Sequence, residues 1–169
     1  MIGIIDTGTD PDHPDLAANL KHNYADPING LDDDGDGYVD NFNGWDLGES
    51  DNDATVNANT HGSHVSGCAA AVTDNGVGVA SPGFNCKFLP VKISNAGGTL
   101  TMGYEGIVYA ADHGCNVINC SWGGGGGGAL GQNAIDYATI NKDALVVCAA
   151  GNNSSNQTFY PAAYNYVFL

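Results

Sequence analysis

Three short apolar runs constrain this chain more than any other feature: MIGIID (Met1–Asp6), CNVINCSW (Cys115–Trp122) and ALVVCAA (Ala144–Ala150). Each has the length of one strand, and none alternates apolar with polar residues as a strand with one wet face does. They predict strands buried on both faces, which occur in parallel sheets covered by helices. FLPVKI (Phe88–Ile93) is a fourth candidate; its Pro90 predicts a bulge or a strand end, because proline cannot donate to a ladder. YNYVFL (Tyr164–Leu169) begins a fifth. Helix-like segments fall between them at 60–72, 100–113 and 129–141. Strands alternating with helices predict an α/β domain with a mostly parallel sheet flanked by helices. At 169 residues and 43% apolar content, the chain suits one domain with a real core.

In such sheets, functional groups collect beyond the carboxyl ends of the strands. Asp6, Ser121 and Asn152 all fall at or just past such ends. Asp6 reads either as a turn former or as a rigidly held carboxylate able to orient a histidine. The segment NTHGSHVSGCAAAV (Asn59–Val72) places His61 at the mouth of a helix, with Asn59 or Thr60 as its cap. Gly62, Ser63, Ser66, Gly67 and Ala69–Ala71 then let that helix pack closely against a neighbour. His61 and His64 share one helical face, but the metalloprotease pattern H-E-x-x-H needs a spacing of four and a glutamate, and both are missing. A packing histidine, half of a metal pair and a catalytic base all stay open on these residues alone. AAGNN (Ala149–Asn153) reads as a loop start or as an amide poised to donate to a developing oxyanion.

Taken in order, IGIIDTGTD, HPDL, NTHGSHVSG, VINCSWGG and VVCAAGN resemble the consecutive signature blocks of the subtilisin family of serine endopeptidases. The order Asp, then His, then Ser is that of subtilisin. The resemblance implies a subtilisin-like fold and proteolysis of polypeptide substrates. It makes Asp6 the triad aspartate, His61 the general base and acid, and Asn152 the side-chain oxyanion donor. It makes His64 structural, packed under the site. Ser121, Trp122 and Gly123 become the edge that pairs with substrate backbone, and Ala149, Ala150 and Gly151 one wall of the pocket for the residue before the cut.

One block of that family is absent. No G-T-S-x-A/S segment follows Asn152, and the serines downstream of it, Ser154 and Ser155, are too near to act as the nucleophile. The expectation is a partial peptidase domain over residues 1–169, C-terminally incomplete, inactive alone and with the missing part of its own domain as a partner. The competing expectation is a non-catalytic relative that binds peptide or calcium. The run Gly123–Gly128 also satisfies GxGxxG through Gly123, Gly125 and Gly128, a dinucleotide-binding pattern. However, the following strand ends in Gly-Asn-Asn rather than in the acidic residue such a site needs.

Charge narrows the partners. Four Lys+Arg against nineteen Asp+Glu give a formal net charge of -15, which disfavours nucleic acid and favours cations. LDDDGDGYVDNFNGWD (Leu31–Asp46) places Asp32, Asp34, Asp36, Tyr38 (through its carbonyl), Asp40 and Asn43 at positions 1, 3, 5, 7, 9 and 12 of an EF-hand-like spacing, with Gly37 at position 6. This predicts a structural Ca²⁺ site, weakened by an asparagine where a bidentate glutamate normally sits. Asp15 in HPDL resembles a second calcium ligand of the family, beside a loop that looks shortened. The five cysteines have no metal-ligand spacing, and Cys120 and Cys148 read as buried thiols. No run is long enough to span a membrane. The family resemblance implies secretion or a cell-surface or periplasmic location.

Overall fold

The computed structural model describes residues 1–169. Six strands form one sheet: β1 (Ile2–Asp6), β2 (Trp45–Asp46), β3 (Phe88–Lys92), β4 (Val117–Cys120), β5 (Leu145–Cys148) and β6 (Val167–Phe168). Their spatial order is β2-β3-β1-β4-β5-β6, and every pairing is parallel. Three helices accompany them: α1 (His61–Ala70), α2 (Gly103–Asp112) and α3 (Ala129–Asp136). A single π turn at Tyr137–Asn141 extends α3. The predicted α/β architecture is therefore the one that forms.

The period of two along each strand divides the interior into two unequal cores. Ile5 points to the face covered by α2 and α3, where 17 buried residues including Val91, Ile107, Ile118, Ile135 and Val146 make one cluster. Ile4 points the other way, to a cluster of 6 with Leu16, Leu20, Ala70, Ala71 and Phe88 beneath α1. The odd and even residues of one run thus serve opposite layers, which is why the run shows no alternation.

Pro90 neither ends nor bulges β3, contrary to the expectation. It sits in register with Ile4 of β1 in an unbroken ladder. The reason is parity. Phe88 and Lys92 turn their carbonyls outward to the amides of Lys21 and Leu47, so the amide position of Pro90 also faces outward. Pairing with β2 starts one residue later, at Val91 with Trp45, and no donor is needed there. Gly44 lies opposite, where any side chain would overlap the Pro90 carbonyl oxygen.

Candidate active site

Asp6 closes β1 at the carboxyl end of the sheet and is 1% exposed. Its Oδ1 accepts the Thr7 amide at 2.7 Å and lies 2.8 Å from His61 Nδ1, with Oδ2 at 3.0 Å from the same nitrogen. A carboxylate can only accept, so Nδ1 carries the proton of this contact, and in the neutral imidazole the lone pair is then on Nε2. The His61 side chain is 49% exposed, so the imidazole spans a buried anion and open solvent.

The turn after β1 and the start of α1 lock this contact in place. Thr7 Oγ1 donates to the Asn59 carbonyl at 2.7 Å and accepts the Gly62 amide at 2.9 Å, while Asn59 Oδ1 accepts the His61 amide at 3.0 Å. Two of the otherwise unpaired amides of a helix start are thereby satisfied. Gly62, Ser66 and Ala70 form the buried stripe of α1 at spacings of four. A side chain at Gly62 would overlap the Gly8 carbonyl oxygen, and Ser66 Oγ meets Thr9 Oγ1 at 2.8 Å. The small residues of α1 let the helix approach β1 closely enough for His61 to reach Asp6.

The same stripe corrects the placement of His64. Two residues past Gly62, it points roughly 200° away around the helix. It is exposed rather than packed under the site, with Nδ1 3.9 Å from Cys68 Sγ, and it lines an open cavity of about 480 Å³ with Asp10 and His13.

Asn152 is exposed on the loop after β5. It lines a cleft of about 700 Å³ together with Ala150, Gly151 and Gly125. Ala149 is not part of that lining. Trp122 and Gly123 line a neighbouring cavity of about 410 Å³ with Leu100, Tyr104, Leu130 and Tyr160, and Gly125 borders both. Ser121, half-buried, accepts the Asn119 side-chain amide at 2.9 Å and faces neither cavity. Tyr104 and Leu130 lie in separate helices, so no local motif pointed to them, and Gly125 was marked only by its place in the glycine run. The close approach allowed at Gly123 and Gly127 is taken up by Phe159 and the Tyr160 ring. Beneath this rim Cys120 and Cys148 pair in register, both buried, and burial pushes the Cys120 thiol well above its usual range.

The acidic loop does not close as an EF-hand. Asp32 and Asp34 come within 4.8 Å of each other and of Asp26, a buried residue the spacing did not single out. Asp36 turns instead to His113 Nε2 at 2.8 Å and the Asn41 amide at 2.8 Å. Asp40 accepts the amides of Asn29 and Gly30, and Asn43 Oδ1 meets His22 Nδ1 at 2.8 Å; the Tyr38 ring packs edge-on against Trp45 and Tyr109, a contact that does not involve its carbonyl. The donor set Asp26, Asp32 and Asp34 is all oxygen and suits a hard cation. The carboxylate of Asp15 is occupied by the Val79 amide and the Asn75 side chain, both at 2.8 Å.

The model of the subtilase family matches residues 1–169. Over 168 residues the sequence is 40% identical to the thermophilic serine proteinase of Bacillus sp. (strain AK1), covering 98% of this chain and 36% of that protein. Over 167 residues it is 40% identical to thermitase of Thermoactinomyces vulgaris, covering 97% of this chain and 51% of that protein. A solved protease structure from Pseudoalteromonas arctica superposes with a TM-score of 0.72 at 33% identity, over 98% of this chain and 54% of that one. The chain spans about half, or less, of the length of these curated relatives.

Proposed function

Because the chain belongs to the subtilase family of serine proteases, we propose that it supplies the base, its orienting carboxylate and an oxyanion donor of a serine endopeptidase. The observation that carries this reading is the His61 imidazole, held by buried Asp6 through Nδ1 with Nε2 open to a reactant. His61 Nε2 takes the proton of a serine hydroxyl as it attacks the scissile carbonyl, then returns it to the leaving amine. Asp6 keeps the tautomer and stabilises the imidazolium. The Asn152 amide donates to the developing oxyanion. The substrate backbone lies along the Ser121–Gly123 edge as an added strand, with a side chain in the cleft between Gly125 and Ala150–Gly151.

The nucleophile comes from outside residues 1–169, so these residues by themselves turn over no peptide at a useful rate. In subtilisin itself, a relative of this chain, loss of the serine costs about 2 × 10⁶ in turnover. The test is labelling by a serine-directed fluorophosphonate. A longer product containing a G-T-S-x-A/S block should label, and His61→Ala should abolish the labelling; residues 1–169 should stay unlabelled. Labelling that survives His61→Ala overturns the roles assigned to His61 and Asp6.

We further propose that Asp26, Asp32 and Asp34 hold a structural Ca²⁺, a reading supported by the convergence of their oxygens in a chain of net charge -15. Millimolar Ca²⁺ should raise the Tm, and Asp32→Asn should remove the increment. An equal rise in the variant sinks the site. We assign the protein to the cell exterior or surface, a reading that rests on the family and the acidic, cation-ready loop. Recovery from the cytoplasmic fraction alone would overturn it.

A further inference from the structure

The chain has four lysines and no arginine, and three of the lysines, Lys21, Lys87 and Lys142, are exposed or partly so. The fourth, Lys92, is 5% exposed in the interior of the sheet. An ammonium so placed is costly to desolvate unless it is paired. Its position explains what pairs it. Lys92 ends β3 and is in register with Asp6 on one side and with Asp46 of β2 on the other. In-register neighbours of a parallel sheet point to the same face and lie about 4.8 Å apart. That face is the one beneath α1, because Ile4 and Phe88, an even number of residues before Asp6 and Lys92, belong to its cluster.

His61, Asp6, Lys92 and Asp46 therefore form one transverse row of potential charges, alternating in sign, from the mouth of α1 to the sheet edge. Both carboxylates are 1% exposed. Lys92 Nζ lies 2.7 Å from Asp46 Oδ2, an oxygen with no other polar partner. Asp46 Oδ1 accepts the amides of Gly48 and Glu49 at 2.8 and 3.1 Å, which fixes the carboxylate.

We propose that Lys92, held by Asp46, is a charge-balancing residue of the site: its cation partly offsets the buried Asp6 carboxylate that orients His61. Asp46 in turn draws the Lys92 ammonium away from Asp6, so that Asp6 accepts chiefly from His61 Nδ1. The row deepens the protease reading, since it tunes the dyad on which that reading rests. The other titratable groups near it are Glu49, Asp51 and Asp53 on the loop before α1, Asp10 after β1, His64 on α1 and the Cys120 thiol on β4, which burial keeps neutral. All are common to the parent and to each variant of the test.

The test follows the His61 imidazole titration by NMR in the 169-residue chain, with the resonance assigned through His61→Gln. Asp46→Asn frees Lys92 to turn to Asp6, which weakens the hold on His61 and adds unbalanced positive charge. The midpoint should fall, by about one unit. Lys92→Met removes that cation, so the midpoint should rise or hold and must not fall. Lys92→Arg keeps the charge and should return the parent midpoint; it decides the matter with Asp46→Asn if Lys92→Met does not fold. A merely structural pair would instead loosen the dyad in both single variants and move both midpoints the same way. That outcome, or folded variants with no movement, overturns the proposal. Fluorophosphonate labelling of the longer product tests the protease reading separately, so loss of either leaves the other standing.

Discussion

The two faces of the sheet are built by different means. Beneath α2 and α3 lie 17 buried hydrophobic residues, and beneath α1 only 6. The thick face is held by apolar volume. The thin face is held by close backbone approach and by polar pairs: Gly62 on Gly8, Ser66 with Thr9, Asp6 with His61 and Lys92 with Asp46. The lesson concerns division of labour. A face full of isoleucine and valine cannot present a desolvated carboxylate without losing its packing, whereas a thin face with polar partners can, provided the other face supplies the stability.

That division is broken most directly on the thick face. Ile118, fully buried in the middle of β4, should cost about 3 kcal/mol when changed to alanine, through lost transfer energy and the cavity left behind. The Asp6–His61 hydrogen bond should survive, as the low-field Nδ1 proton of His61 would report. Gly62→Ala should have the reverse profile. The added methyl overlaps the Gly8 carbonyl, so α1 must move outward at about 2 kcal/mol. The low-field proton should disappear, because His61 moves with the helix. Urea denaturation gives both stabilities. If Gly62→Ala proves the more destabilising, the thin face carries more of the stability than its apolar content implies.

Legibility in the sequence followed the same division. The thick face could be read because burial on both sides of a strand leaves an unbroken apolar run, as in ALVVCAA. Asp6 and His61 were visible as candidates because each sits at the end of a recognisable element. Lys92 was not, since a lysine closing FLPVK looks like a strand end reaching water. Only the register with Asp6 and Asp46 shows it buried between two carboxylates. Asp26 was missed because the loop returns to bring it beside Asp32 and Asp34, a closure that spacing along the chain does not encode. His64 could have been placed correctly from helical angles alone, since Gly62, Ser66 and Ala70 already marked the buried stripe. Pro90 needed the parity of a ladder with a late-starting neighbour, which exists only once β2 is in place.

The smallest expected effect sharpens the comparison at the edge of the thin face. Asp15 is buried beside Leu16, and the loop 75–79 folds over its carboxylate. The Val79 amide, with the Asn75 side chain second, holds this carboxyl below the usual carboxylate value of 3.8. A carboxyl depressed in the folded state binds its proton less readily there than when unfolded. It therefore contributes stability above 3.8, and this contribution is lost as the pH falls through 3.8 toward the lowered folded value. Asp15→Asn should accordingly have a lower Tm than the parent at pH 6, and the gap should narrow as both are acidified below 3.8. No apolar substitution on the thick face should show such convergence, because nothing it removes titrates. A gap between parent and Asp15→Asn that is constant with pH would mean that the Asp15 contacts act through shape alone, and the thin face would then depend less on charge than its buried carboxylates suggest.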